Sequence, residues 1–352
     1  MTAAAGVHPE QILTDLRELW TSLARDQADG GGVLRACAMT LAVTAGDASD
    51  AELVRRTLGV LMHSHPSRAI IVRDVVGGAG GTIGGGADGQ VGNGAGAPGP
   101  GAAVQQMEAH IFAECWKPFG SNQQICSEGI EITPGAGAPG NGGMAEVARF
   151  IVPLRAPDLP FVLWRRGALG RDNRRYDALL ALADKIIFDT FDAPDAAGAL
   201  TYMRALQTAG RRVGDLNWTR LSGWREVIAH LFDDVALDPD AVTSANVSYG
   251  GGRLTTSALY IAAWIRSALP GAPVIVDAVN APAREPGGLV SVEFTSASDR
   301  LALRRAEGDC VEVTGAGRNY HSALPPVNVE ELMREELGLL GRDPVYERVL
   351  AA

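Results

Sequence analysis

The stretch LRACAMTLAVTAGDASDAELVRRTLGVLMHSHPSRAIIVRDV, Leu34–Val75, decides the fold class. Leu34–Thr44 is a short run rich in apolar side chains, the composition of a buried strand. Ser49-Asp50-Ala51-Glu52 has the spacing of a capping box ahead of a helix that turns Leu53, Val60 and Leu61 inward. His65-Pro66 stops that helix, and Arg68–Val75 is a β-branched apolar run typical of a second buried strand. Strand, helix and strand within about forty residues make a βαβ unit with parallel strands and a right-handed crossover.

The same grammar extends in both directions. Upstream, Leu13, Leu16, Leu19 and Leu23 recur at helical steps, with Pro9 suited to the first turn. Downstream, Gly77–Gly101 carries 13 glycines and almost no large side chains, which marks a disordered insertion. Gln105–Trp116 and Gln123–Thr133 read as an antiparallel strand pair joined at Phe119–Asn122. After the Pro134–Gly143 stretch come a helix at Met144–Leu154 and a strand at Phe161–Trp164. A helix at Arg174–Ala183, a strand at Lys185–Thr190, and helices at Pro194–Gln207 and Trp218–Phe232 follow. Thr255-Thr256 caps a helix that runs to Leu269, ahead of a strand at Pro273–Val279. Leu289–Thr295, Leu301–Arg305 and Cys310–Thr314 read as antiparallel strands, and Val329–Leu340 as a closing helix. The polar, arginine-rich link Gly167–Asn173 is the best boundary. The expectation is an α/β protein of two α/β domains, residues 1–168 and 169–352, with mixed sheets built on βαβ units and the Gly-rich insertion 77–101 in the first.

Among 352 residues, 46% are hydrophobic and 20% charged, enough to fill a sizeable core and to exclude a disordered or fibrous chain. The formal net charge is -10, which argues against nucleic-acid or anionic-membrane partners. Basic patches would be arginine patches, because lysine occurs only at Lys117 and Lys185. The N-terminus lacks a basic start and an apolar stretch, and apolar runs such as Ala258–Ile265 fall short of the ~18 residues of a membrane span. A soluble, cytoplasmic protein is expected.

Motifs of catalysis are sparse. Gly84-Gly-Gly86-Ala-Asp-Gly89 matches G-x-G-x-x-G, but so glycine-rich a stretch matches by chance, and no helix opens after it. No Walker loop, nucleophile elbow, H-E-x-x-H or Cys-x-x-Cys occurs. His63 and His65 suit a helix C-terminus, while His110, His230 and His321 lack neighbours in a catalytic or metal-binding pattern. Cys115 and Cys126 would face each other across the strand pair, where a disulfide needs favourable Cβ geometry; two half-buried thiols are the plain reading. Asp233-Asp234 and Asp238-Pro-Asp240 read as solvated turns. No cofactor or metal is called for.

The densest feature is Gly214-Asp-Leu-Asn-Trp-Thr-Arg-Leu-Ser-Gly-Trp-Arg225. On a helix, Trp218, Leu221, Trp224 and Arg225 share a stripe, Arg220 projects elsewhere, and Asp215 or Asn217 caps the start. The stripe suits a core helix anchored by two tryptophans. It equally suits a recognition surface, since Trp and Arg dominate binding hot spots, or an anion seat on Arg220 and Arg225.

The run Asp215-Leu-Asn-Trp218-Thr-Arg220-Leu-Ser-Gly-Trp224-Arg225 resembles a segment of the OpcA family, glucose-6-phosphate dehydrogenase assembly proteins of actinobacteria and cyanobacteria. Four further stretches agree in order and spacing: Leu61–Val72 with His65-Pro66-x-Arg68; Glu114-Cys-Trp116 with Gln124-Ile-Cys-Ser-Glu128; Leu159–Trp164; and Lys185–Thr190. The resemblance spans residues 33 to 310. It implies a two-domain α/β protein without catalysis of its own, which binds glucose-6-phosphate dehydrogenase and promotes its active oligomer. It makes Asp215, Trp218, Arg220, Leu221, Trp224, Arg225, Trp164 and Trp116 the candidate partner-binding or family-motif residues. Members commonly carry cysteine where Ser67 stands, so Cys115 and Cys126 are the candidates here for redox control. The competing reading is an α/β sensor or enzyme that holds a sugar phosphate or nucleotide between its domains, on Arg165, Arg166, Arg171, Arg174 and Arg175.

Overall fold

The computed structural model describes residues 7–26, 32–74, 107–120, 122–134, 142–169, 173–233, 238–281, 288–315 and 317–352. The glycine-rich insertion, with its G-x-G-x-x-G match, lies outside the described residues. The first part of the chain contributes α1 (Pro9–Asp26), β1 (Val33–Arg35), β2 (Met39–Ala45), α2 (Ala48–Met62), β3 (Ser67–Arg73), β4 (Met107–Trp116) and β5 (Gln124–Pro134). There follow α3 (Gly142–Ile151), β6 (Phe161–Trp164), α4 (Asp177–Leu182), β7 (Lys185–Phe188), α5 (Ala196–Thr208) and β8 (Val213–Asp215). These eight strands form one sheet in the order β1-β5-β3-β2-β6-β7-β8, with β4 antiparallel on β5 and every other pairing parallel.

The second part contributes α6 (Leu216–Arg220), α7 (Ser222–Asp233), β9 (Val242–Tyr249), α8 (Thr256–Ala268), β10 (Val274–Ala278) and β11 (Leu289–Ser296). It ends with β12 (Arg300–Arg305), β13 (Cys310–Gly315), β14 (Arg318–Ala323), α9 (Val329–Gly338) and α10 (Pro344–Ala351). Its six-stranded sheet runs β10-β9-β11-β12-β13-β14 and is parallel only between β10 and β9. The protein is therefore α/β, with a parallel-strand sheet and a mixed one.

Counted in chain order, the parallel strands β5-β3-β2-β6-β7-β8 run 3-2-1-4-5-6, the doubly wound order of dinucleotide-binding sheets. The order reverses between β2 and β6. Residues of α1, α3, α4 and α5 pack one face of this sheet, and that core continues into the interior of the second sheet beneath α8. The opposite face is covered by α2 and by α9.

Five sequence expectations shift. Leu34–Thr44 is two strands, because the chain crosses two strand ends between them: Ala36 N–H donates to Cys126 O on β5, and Ala38 N–H to Pro66 O ahead of β3. The cap of α2 is Asp47, which accepts from Asp50 N–H, and Ser49 serves it as a donor. The inward face of α2 is Ala51, Val54, Leu58, Leu61 and Met62, so Leu53 and Val60 point outward. The helix expected over Trp218–Phe232 breaks at Leu221 into α6 and α7.

The fifth concerns the boundary at 168/169, which falls inside the first sheet, since β7 and β8 extend it beyond β6. The chain end also returns to that sheet. Leu332, Met333 and Leu337 of α9 are buried with α2, Thr57 Oγ1 donates to Glu330 Oε1 at 2.9 Å, and Lys185 Nζ meets Glu336 Oε1 at 2.6 Å. Glu336 also accepts from Thr219 Oγ1, and Gly214 leaves room for its carboxylate, which lies 2.0 Å from where a Cβ would stand.

Candidate functional site

In a doubly wound sheet, ligands bind beyond the carboxyl ends of the strands, at the point where the order reverses. A dinucleotide turn there offers glycines and unengaged backbone N–H groups at a helix start, followed by an acidic residue after the second strand for the ribose. The turn between β2 and α2 reads Ala45-Gly46-Asp47-Ala48-Ser49-Asp50. Gly46 N–H donates to Asp50 Oδ2 at 2.7 Å, and Asp50 N–H donates to Asp47 Oδ1 at 2.9 Å. The hydrogen bond from Ser49 and then the Asp50 amide hold the Asp47 carboxyl below its ordinary pKa. Across the reversal point, Arg166 Nη1 donates to Asp50 Oδ1 at 2.6 Å, and Arg166 N–H donates to Thr44 Oγ1 at 2.8 Å. Two amides of the turn are therefore engaged by carboxylates whose charge would repel a pyrophosphate. The residues present do not fit a dinucleotide.

The neighbouring strand ends are closed in the same way. Asp74, the acidic residue after β3, accepts from Arg175 and from the Tyr176 hydroxyl. Burial, then that bond, raises the Tyr176 hydroxyl to about 12. Arg165, after β6, is buried; its Nη1 donates to the carbonyls of Arg166, Gly167 and Ala168, and its guanidinium lies 4.5 Å from the Tyr176 ring. Burial lowers its pKa. Of the boundary arginines proposed to hold phosphate, Arg165, Arg166 and Arg175 thus serve the fold, Arg174 is exposed, and Arg171 lies outside the described residues.

At the far end of the rim, Asp189 follows β7 and Asp215 ends β8. Arg220 grips Asp189 with both Nη groups, at 3.1 and 3.0 Å, over the Phe191 ring. Asp215 is fully buried and caps α6. It accepts from Thr190 N–H at 3.0 Å, Thr190 Oγ1, Asn217 N–H at 2.9 Å and Tyr260 Oη at 2.7 Å. Because Tyr260 gives its proton to Asp215, Tyr346 Oη, 3.1 Å away, is left as donor to Tyr260. Burial, and then the charge of Asp189, raise the Asp215 carboxyl to about 6. Asn217 extends the cluster: its Nδ2 donates to Thr256 Oγ1 at 2.7 Å, and its Oδ1 accepts from Ser257 Oγ at 3.1 Å. One carboxylate thus joins the end of the first sheet to α6, α8 and α10.

The tryptophan–arginine stripe stands on this cluster. The Trp218 ring packs 5.8 Å from Tyr260 and 5.6 Å from Tyr346 between centroids, and its Nε1 donates to Asp343 Oδ2 at 3.3 Å. Asp343 in turn caps α10. Arg225 lies 3.4 Å above the Trp218 ring, its Nη2 on Ser222 Oγ, and burial lowers its pKa to about 10. Trp218, Leu221 and Trp224 are all buried in the core, so the structure brings the stripe together as internal support. Arg220, held by Asp189, and Arg225, held on the ring, do not converge on an anion seat.

The remaining motif residues lie on the other half of the sheet. Trp164 is buried under Arg166, and its Nε1 has no hydrogen-bond partner among the described residues. Trp116 is half-buried and stacks on His63 at 4.7 Å. Cys115 and Cys126 face each other in register on β4 and β5 and are joined by a disulfide, with Cα atoms 4.1 Å apart. Directly opposed residues on one face of an antiparallel pair bring their Cβ atoms within bonding reach, which corrects the expectation of two thiols. Glu128 accepts from Trp20 Nε1, from Arg35 Nη2 at 2.6 Å and from Arg68 Nε at 2.6 Å, while Arg68 Nη1 donates to Leu154 O at 2.8 Å. Burial pushes the Glu128 carboxyl up, but the Trp20 bond and the Arg68 guanidinium outweigh it, leaving its pKa below the ordinary value.

Sequence reasoning missed Thr190, Tyr260, Tyr346 and Asp343 as members of the site. The one available signal was Thr255-Thr256, read as a cap; the Thr256 hydroxyl also donates to Thr190 O at 2.9 Å. Among the described residues, no group of three or more His, Cys, Asp or Glu side chains is placed to hold a metal, and no helix is long and apolar enough to cross a membrane.

Comparison with known proteins yields two family matches. Residues 60–205 match the N-terminal domain, and residues 211–350 the C-terminal domain, of the OpcA glucose-6-phosphate dehydrogenase subunit family. The proteins named OpcA from Synechocystis sp. and Synechococcus elongatus are 24% identical over 288 residues and 25% identical over 301 residues. Each match covers 70% of this chain, but only 59% and 63% of those relatives, so the chain spans less than two thirds of their length. Among solved structures, a 3-ketoreductase from Actinomadura kijaniata aligns with a TM-score of 0.46 at 10% identity, covering 88% of this chain and 94% of that one. A biliverdin reductase from Synechocystis sp. aligns with a TM-score of 0.44 at 8% identity, covering 90% and 95%. The two family matches in sequence order take in most of the chain, and the protein belongs to the OpcA family.

Proposed function

We propose that the protein is a non-catalytic partner of glucose-6-phosphate dehydrogenase, serving the oxidative pentose phosphate pathway by promoting the active oligomer of that enzyme. The family description names the dehydrogenase, and the relatives' names place them in the same cycle. The observation that carries the non-catalytic part is the β2–α2 turn, where the carboxylates of Asp47 and Asp50 hold the amides of Asp50 and Gly46 and would repel a phosphate. A dinucleotide sheet whose phosphate turn is closed by its own acids keeps the scaffold and gives up the cofactor.

Activation then works by linkage: a protein that binds the active conformation of the dehydrogenase more tightly shifts the population by that difference in affinity. Trp218, Leu221 and Trp224 support such a surface from the core, and Arg220 and Arg225 lie nearer to solvent. The test is to titrate the protein into the same organism's dehydrogenase while following rate and particle mass, under oxidising and reducing conditions that bracket the Cys115–Cys126 bond. A rise in rate together with a larger complex is expected. An unchanged rate and mass in both conditions would overturn the reading.

A further inference from the structure

On the first sheet, α5 runs back from the carboxyl ends of the strands, so its last turn and Arg211 sit toward the amino ends, opposite the rim described above. There α5 lies beside α10, and two bonds lace them: Arg204 Nε donates to Leu350 O at 2.7 Å, and Gln207 Nε2 to Glu347 O at 3.0 Å. Beside these bonds a cleft of about 320 Å³ opens, lined by Arg204, Gln207, Thr208, Arg211, Arg342 and Glu347. Three guanidiniums thus share it with one carboxylate, in a chain of net charge -10.

The cations are weakly satisfied. Glu347 Oε1 stands 3.6 Å from Nε of the exposed Arg342, a long pair with one end in solvent that contributes little. Arg211 Nη1 donates to Ala181 O, and among the described residues no carboxylate lies within 4 Å of Arg204 or Arg211. In the lining of the cleft, Gln207 Oε1 is buried and has no hydrogen-bond partner among the described residues. The bond from Nε2 to Glu347 O fixes the amide, so Oε1 is an acceptor that lacks a donor, a costly state for a buried group.

We propose that this cleft binds a small phosphorylated polyol, with the phosphate on the arginines and, once the side chains that cover it shift, a ligand hydroxyl donating to Gln207 Oε1. Guanidinium forks match phosphate oxygens in geometry and charge. The orphaned acceptor selects against bare phosphate, which offers few donors at neutral pH, and in favour of a ligand that carries hydroxyls. The volume lies at the small end of ligand pockets and suits a hexose monophosphate. The site stands apart from the boundary arginines and does not depend on the dehydrogenase.

Calorimetry on the isolated full chain tests this, with glucose 6-phosphate as probe and glucose and inorganic phosphate as controls. Saturable binding of glucose 6-phosphate below roughly 1 mM is expected, with phosphate about tenfold weaker and glucose silent. Arg211→Ala and Arg342→Ala should each weaken binding about tenfold, and Gln207→Leu should abolish the preference for the sugar phosphate over phosphate. Unfolding temperatures of the unliganded variants show that they are folded. Absence of saturable heat, equal affinity for phosphate and glucose 6-phosphate, or binding that survives both arginine substitutions would each overturn the proposal.

Discussion

Glu128 on β5 and Asp215 at the end of β8 are both buried carboxylates of one sheet, and they are stabilised in opposite ways. Glu128 meets two guanidiniums and an indole; Asp215 meets hydroxyls and backbone amides, with no cation within 4 Å among the described residues. Burial raises both, yet the first ends below the ordinary carboxylate range and the second at about 6. The difference teaches that burial alone does not set the charge of a carboxylate; its hydrogen-bond donors and the charges around it decide with it. At Glu128 the charge belongs to the fold, tying α1, β1 and β3 to β5. At Asp215 the charge depends on pH, at the junction between the first sheet and the helices of the second part.

The largest effect expected from this contrast is at Glu128. Glu128→Ala leaves Arg68, whose side chain is 8% exposed, as a buried and uncompensated charge, at a cost of about 3–5 kcal/mol. Glu128→Gln retains an acceptor for Trp20 and should lose less. Urea unfolding at pH 7.5 measures both. A loss under about 1 kcal/mol for the alanine variant would mean that Leu154 O and water satisfy Arg68 by themselves, and the two carboxylates would no longer differ in kind.

The next effect is one of pH. A carboxyl whose folded pKa lies above its unfolded value holds its proton more tightly in the folded state. The Asp215 contribution is therefore complete below its unfolded value of 3.8 and is lost as pH rises through about 6, a span worth roughly 3 kcal/mol. Asp215→Asn keeps the shape and does not titrate. As pH falls from 7 toward 4, the native chain should gain stability relative to this variant, measured as the difference between their unfolding free energies. Parallel curves for the two proteins would show that the hydroxyls and amides alone hold Asp215 at an ordinary carboxylate pKa.

Much of the Glu128 region was legible and much of the Asp215 region was not. His65-Pro66-x-Arg68 and Gln124–Glu128 were visible as ordered motifs, but that Arg68 meets Glu128 requires β3 and β5 to pair, a contact between distant parts of the chain. Asp215 was visible as a helix cap. Its partners were not, because Tyr346 belongs to an eight-residue helix, α10, whose apolar positions Tyr346, Val349 and Leu350 span too few turns to announce themselves. Along α2, two overlapping apolar sets are available, and only the strands beneath choose Val54, Leu58 and Leu61 over Leu53 and Val60. The break between β1 and β2 is hidden for a related reason: the apolar run is continuous in sequence while the chain steps across two strand ends. β14 reads Arg-Asn-Tyr-His-Ser-Ala, a polar edge strand that lacks the alternation by which strands are recognised.

The smallest effect lies at Arg220 and tests whether the Asp215 region is as free of cations as the contrast requires. Arg220 pairs with Asp189, with side chains 22% and 34% exposed, and stacks on Phe191. Arg220→Ala should therefore cost only about 0.5–1 kcal/mol in urea unfolding at pH 7.5. It also leaves Asp189 without its countercharge, and Asp189 already raises Asp215. The pH at which the native chain gains over Asp215→Asn should then move upward when both proteins carry Arg220→Ala. If Arg220→Ala instead costs as much as Glu128→Ala, Arg220 is neutralising Asp215 through Asp189, and the hydroxyl cluster is an ion network with one link removed.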